Sequence, residues 1–197
     1  MILTLTGASG AGKTTIAGEL LKKLPIYTRM VPSYTTRKPR ETDLPGEYKY
    51  VSKLRFWLLN KMGAFLWTVY PHGNSYGTTK HWVAKALRDD NTVYIMILVS
   101  DAIKTLREFA EEKDLVRVYS FYIFSPPQEV LRKRLEKRGD CAEEVKKRLS
   151  DCLKWDKDSL SSGIPYEFVR NDNEVEEAVV DIKNRFLVKF GTCNSYF

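Results

Sequence analysis

The sequence predicts an α/β fold: a parallel sheet flanked by helices and interrupted once by a β-rich inserted lobe. Three observations carry it. Apolar runs of β type at residues 2–6, 92–99 and 116–124 alternate with segments of helical periodicity. The second and third runs are almost continuously apolar, the pattern of parallel strands covered on both faces. Between Thr28 and Ser52 the composition shifts to threonine, tyrosine and basic residues, broken by Pro32, Pro39, Pro45 and Gly46. That stretch reads as short strands and loops, not as a layered core.

Residues 2–6 form the first strand and end at Gly7. Ile16, Leu20, Leu21 and Leu24 recur at helical spacing over 13–24, and Pro25 stops that helix. Residues 54–62 predict a helix closed by Gly63. An apolar, aromatic strand follows over 64–70, then a turn over 71–75 and a helix over 79–87. After Asp89, Asp90 and Asn91 the rhythm returns with strand 92–99, helix 101–112 and strand 116–124, closed by Ser125, Pro126 and Pro127. Two charged amphipathic helices, 128–138 and 143–155, are separated by Gly139 and Asp140. A short strand over 166–170, a helix over 174–190 and a frayed tail over 191–197 complete the reading.

A chain of 197 residues suits one domain carrying a small lobe or lid. Hydrophobic residues at 43% and charged residues at 29% exclude long disorder and coiled coil. No apolar run nears the roughly 20 residues of a membrane span. The balance of 32 basic against 25 acidic residues, +7, favours anions without choosing among them. No nucleic-acid recognition module accompanies the charge, so no specific nucleic acid is expected. Cys141, Cys152 and Cys193 share no metal-ligand spacing with His72 or His81. A reduced, cytoplasmic setting without a signal peptide is expected.

Residues 7–14 read GASGAGKT and fit G-x-x-x-x-G-K-[ST], between a predicted strand and a predicted helix. Glycines let backbone N–H groups turn inward around phosphate oxygens. Lys13 places a point charge on the β and γ phosphates, and the Thr14 hydroxyl is set for Mg²⁺. The start of the helix adds its positive end. The expected ATP cradle is Gly7, Ala8, Ser9, Gly10, Ala11, Gly12, Lys13, Thr14 and Thr15, with Mg²⁺ as the cofactor.

Four further segments resemble one family, the guanylate kinases. They are SYTTRKPR at 33–40 with GEY at 46–48, GNSYGT at 73–78, the arginine-bearing stretch 131–149, and FVRND at 168–172. The resemblance implies a P-loop NTPase fold, three-layer α/β/α about a central parallel sheet, with a β-rich lobe for the nucleoside monophosphate and a helical lid. Its expected boundaries are a core over 1–32 and 89–190, an insert over 33–88, a lid near 134–150 and a tail over 191–197. It further implies ATP and a nucleoside monophosphate as ligands and a monomer or homodimer. Ser33, Arg37, Arg40, Tyr48, Tyr76 and Thr78 become acceptor ligands, Asn171 a neighbour of the adenine, and Arg134, Arg138 and Arg148 catalytic lid arginines. Arg37 and Arg40 offer planar forks that grip phosphate bidentately. Arg134 and Arg138 lie four apart, on one helix face.

One departure stands out. Guanine presents N1–H and an exocyclic amine, both donors, so an acceptor-only carboxylate is its natural reader. The family places a glutamate two residues after the aromatic that Phe65 matches, and here that position is Trp67. No aspartate or glutamate occurs between Tyr48 and Arg88. The leading expectation is transfer of the ATP γ-phosphoryl group to GMP or dGMP, or to a related monophosphate, with weakened preference for guanine. The alternatives are a related P-loop kinase acting on a non-guanine nucleotide or a phosphorylated sugar, and a non-catalytic interaction module. The intact Gly12, Lys13 and Thr14 weigh against the last.

Overall fold

The computed structural model describes the chain apart from residues 25, 71–72, 116, 138, 173 and 195–197 and the side chains of 190–194. Among the described residues the element order is β1 (Ile2–Thr6), α1 (Lys13–Lys23), β2 (Thr28–Met30), β3 (Ser33–Thr35), β4 (Tyr48–Tyr50), α2 (Lys53–Lys61), β5 (Phe65–Val69), β6 (Tyr76–Thr79), α3 (Lys80–Arg88), β7 (Val93–Ile97), α4 (Ser100–Glu111), β8 (Val118–Ile123), α5 (Gln128–Lys137), α6 (Ala142–Leu160), β9 (Tyr166–Val169) and α7 (Val175–Asn194). No helix among these residues is long and apolar enough to cross a membrane.

Two sheets form. The central one runs β2-β7-β1-β8-β9 and the smaller one β4-β3-β6-β5. In the central sheet β2 pairs parallel with β7, and β8 parallel with β9. β1, β7 and β8 are buried along almost their whole length, which suits the near-continuous apolar runs of β7 and β8, while β1 buries Thr4 and Thr6 among its apolar residues. The α/β fold with a central parallel sheet is therefore the one the sequence predicts.

Three local expectations are corrected. Residues 28–30, read as the start of a run of short strands and loops outside the layered core, form an edge strand of the central sheet, with Thr28 opposite Val93 and Met30 opposite Ile95. Three residues with Arg29 in the middle are too short to show a period. The second charged helix continues past Trp155 to Leu160, because Asp156 and Ser159 turn inward. Asp156 accepts from the Tyr122 hydroxyl at 2.9 Å and from Ser125 N at 3.2 Å, while Ser159 is buried. The last helix runs through Asn194, so residues 191–194 are helix rather than tail. Adding a residue to an established helix costs far less than starting one. Residues 195–197 of the expected tail lie outside the described residues.

The chain divides into two compact units. One contains Met1–Leu3, Pro25–Met96 and Asp101–Val118; the other contains Thr4–Leu24, Ile97–Ser100 and Tyr119–Phe197. In the first, the smaller sheet is backed by Phe56 stacked on Phe65 at 4.6 Å, with Tyr34 edge-on to Phe65. In the second, Ala8, Leu131, Leu135, Val145, Leu149 and Cys152 form an apolar cluster under α5 and α6. That cluster seats both helices beside the loop that follows β1.

Candidate active site

The loop between β1 and α1 is defined by its glycines. Gly10 and Gly12 have φ of +86° and +96°, a region most side chains avoid. Neither has room for a Cβ. At Gly10 it would lie 2.4 Å from Leu131 Cδ1, and at Gly12 2.2 Å from Asn171 Nδ2. The turn is pressed against Leu131 on one side and Asn171 on the other. Gly12 also supplies the carbonyl that receives the Ile16 N–H, opening α1.

Side chains then close around the loop. Lys13 Nζ donates to the carbonyls of Gly7 at 2.8 Å and Ala8 at 2.7 Å. Asn171 is 1% exposed and donates from Nδ2 to Ala11 O at 2.8 Å. Arg134 donates to Asn171 O at 3.1 Å, while its Nη1 is buried without a hydrogen-bond partner among the described residues. A Cβ at Gly12 would stand 3.9 Å from that Nη1. Arg148 donates to Ser9 Oγ at 2.8 Å and pairs with Asp140 at 3.2 Å. Arg134 and Arg148, from successive helices, thus reach the same loop. Arg138 lies outside the described residues. Thr14 and Thr15 are exposed at the first turn of α1.

A second set of candidates lies on the smaller sheet. Directly opposed residues in a sheet point to the same face. The pairs Ser33–Tyr48, Thr35–Tyr50, Thr35–Tyr76, Trp67–Thr78 and Val69–Tyr76 therefore form one face, and Lys49, Tyr34, Gly77 and Thr68 form the other. The register shifts between Phe65 and Trp67, so Leu66 is an extra residue and the strand bulges. Phe65 then packs beneath the sheet, where a Cβ on Gly77 would meet its ring at 2.9 Å. Trp67 is turned to the face of Ser33, Tyr48, Tyr76 and Thr78. Without the bulge, Phe65 and Trp67 would share a face.

On that face Ser33 Oγ and Thr78 Oγ1 are 2.9 Å apart, and Thr78 is fully buried. Tyr48 and Tyr76 meet edge to face at 6.0 Å. The Arg37 guanidinium sits 5.0 Å from the Tyr48 ring centre and pairs with Asp43 at 2.7 Å. Arg40 is exposed, and its backbone N–H donates to Asp43 at 2.7 Å.

Sequence reasoning missed two carboxylates here. Asp43 accepts from Arg37, from Arg40 N and from the Tyr50 hydroxyl at 2.6 Å. Burial opposes its charge, but those bonds outweigh burial and hold its pKa below the ordinary value. Glu47 is 8% exposed and accepts from Leu44 N at 3.0 Å. Burial raises its pKa against that bond and one from Tyr48. The same burial, with Glu47 beside it, pushes the Tyr48 phenol up. The signal available was Asp43, set three residues beyond Arg40, and the Glu47 of the GEY segment itself.

Strand, glycine cradle, lysine and following helix together define a P-loop phosphotransferase. A sequence model of the guanylate kinase family matches residues 1–188. The guanylate kinase of Wolbachia sp. subsp. Brugia malayi is 34% identical over 186 residues, 93% of this chain and 90% of its own. That of Helicobacter pylori strain 26695 is 37% identical over 155 residues, 78% of this chain and 72% of its own. The crystal structure of guanylate kinase from Anaplasma phagocytophilum superposes with a TM-score of 0.68 at 23% identity, over 96% of this chain and 85% of that one. The last likeness concerns the fold alone. The chain belongs to the guanylate kinase family, nucleoside monophosphate kinases whose reaction is ATP-dependent phosphorylation of GMP.

Proposed function

We propose that the cradle at residues 7–15 holds the ATP phosphates and that the open face of the smaller sheet holds GMP or dGMP as acceptor. The observation that carries the first half is the glycine turn at the start of α1: Gly10 and Gly12 admit no Cβ and take a positive φ, the backbone form of an anion-holding loop. The buried, unpartnered Arg134 Nη1 beside Gly12 fits an anion there. Lys13, Arg134 and Arg148 spread positive charge over the transferring phosphoryl group, as do Arg138 and the α1 terminus. Asn171 fixes the loop from behind through Ala11.

Thr14 would hold Mg²⁺, an ion that keeps several waters and leans on substrate phosphates, so one exposed hydroxyl suffices. When bound, it neutralises charge on the β and γ oxygens. The residues do the rest by position. Arg37 and Arg40 grip the acceptor phosphate, with neutral hydroxyls from Ser33, Tyr48 and Tyr76 beside them. Trp67 and Thr78 lie toward the base. No general base is needed, because a phosphate monoester with a second pKa of about 6 is already a nucleophile at neutral pH. Catalysis is alignment plus electrostatic stabilisation.

The setting we propose is cytoplasmic, with the chain acting as a monomer or homodimer. The test is ADP release from ATP with GMP as acceptor, in wild type and Lys13→Ala. No release with any monophosphate would overturn the reading.

A further inference from the structure

We infer that the acceptor face reads its base through hydroxyls and an indole rather than a carboxylate, so that the enzyme phosphorylates AMP as well as GMP. This rests on the acceptor site proposed above. The four strands of the smaller sheet carry no aspartate or glutamate. The β3–β4 loop has three acids. Glu41 is exposed, Asp43 is spent on Arg37, Arg40 N and Tyr50, and Glu47 is buried on Leu44 N and Tyr48. All three belong to the arginine end of the face.

What remains on the smaller sheet toward the base is Trp67, which the bulge at Leu66 turns to this face, and Thr78, whose hydroxyl is hydrogen-bonded to that of Ser33 on the phosphate side. The chemistry of that set is permissive. A carboxylate only accepts, so it favours the N1–H edge of guanine and repels the lone pair on N1 of adenine. A hydroxyl rotates and either donates or accepts. The indole N–H donates to one acceptor, which guanine offers at O6 and adenine at N1. Turned face-on instead, the flat ring stacks on either purine. Each purine therefore leaves the same protein groups satisfied.

The experiment measures kcat/KM of the full chain with ATP and GMP, AMP, CMP, dTMP or ribose 5-phosphate. A site that hydrogen-bonds one partner selectively rejects its analogue by about 10⁴–10⁵, and one that does not by about 10². The expected GMP-to-AMP ratio is below about 10³, and a ratio above it overturns the inference. Trp67→Glu supplies an acceptor-only group and should raise the ratio about tenfold or more; a fall overturns it. Trp67→Phe keeps the stacking face and guards against a misfolded glutamate variant. The wild-type ratio decides alone if neither variant folds. Arg37→Ala separates the two readings. If it leaves KM for GMP and AMP unchanged, the acceptor site itself is misplaced. If both KM values rise while wild type prefers GMP above that threshold, only the base inference fails. Turnover of ribose 5-phosphate as fast as GMP would also overturn it.

Discussion

On the proposed reading, the loop after β1 and the face of the smaller sheet hold the same chemical group, a phosphate, by different means. The loop does it with backbone. Its turn has φ near +90° at Gly10 and Gly12, and a methyl at either would collide with Leu131 or Asn171. Gly46 and Gly73, in the other unit, also have positive φ but have open space around them. The sheet face does it with side chains from β3, β4, β5 and β6 and the loop holding Arg37. A backbone site tolerates almost no substitution where glycine shapes the turn, as at Gly10 and Gly12. A side-chain site can keep its phosphate grip while one position on the same face, such as Trp67, changes.

The strongest test of that contrast is Lys13→Ala. The charge facing the transferring group is lost while the loop carbonyls it bridges stay in place. We expect kcat to fall by about 10²–10³-fold, the loss typical of one preorganised electrostatic partner. Thermal unfolding of the variant should match wild type. Unchanged turnover would show that the cradle alone suffices and that the lysine only tethers Gly7 and Ala8.

Asp43→Asn comes next and probes the other unit. Arg37 and Asp43 are both nearly buried, at 8% and 13% side-chain exposure. Removing one charge leaves the other without its partner, at a cost of about 3 kcal/mol. Asp43 has a lowered folded pKa, so its contribution is present above the ordinary value of 3.8 and is lost as pH falls through the folded value. Denaturation midpoints at pH 7 and pH 3 should show a larger difference between wild type and variant at the first than at the second. A difference independent of pH would mean that shape, not charge, holds the loop.

Arg37→Ala has a smaller effect. A charge-assisted hydrogen bond is worth about 1.5–3 kcal/mol, which raises the acceptor KM by roughly 10–150-fold. The ATP KM should stay within about twofold. Equal rises in both would break the separation between the two binding modes.

These differences also explain what the sequence made legible. The cradle was legible because eight consecutive residues specify it. The clamp by Asn171 was not, since its partner Ala11 is 160 residues away and no local pattern links them. The central strands were legible from their unbroken apolar runs. β2 was hidden by its three-residue length. On the acceptor face the motif residues were legible, but strict alternation places Phe65 and Trp67 together. Only the register against β6 reveals the extra residue that parts them. Asp43 escaped because a carboxylate among arginines reads as solvated charge until its three donors are seen.

The smallest effect sharpens the comparison at a single carboxylate. Glu47 is almost fully buried, and burial raises its pKa above the ordinary 4.5 despite bonds from Leu44 N and Tyr48. A raised folded pKa means stability that is present below the ordinary value and lost as pH rises through the folded one. The ionised form is the costly one. Glu47→Gln fixes a neutral group of the same shape and keeps an acceptor for Leu44 N. Wild type and variant should melt together near pH 4. The variant should then gain about 1 kcal/mol by pH 7, read as a rise in Tm in parallel melts. The acceptor unit would then hold a side chain that costs stability in its working state, a cost the glycine cradle does not carry. If the variant instead falls behind wild type as pH rises, ionised Glu47 is stabilised by its donors. Tyr48 is then held by a charged partner, and the acceptor face is as firmly built as the loop.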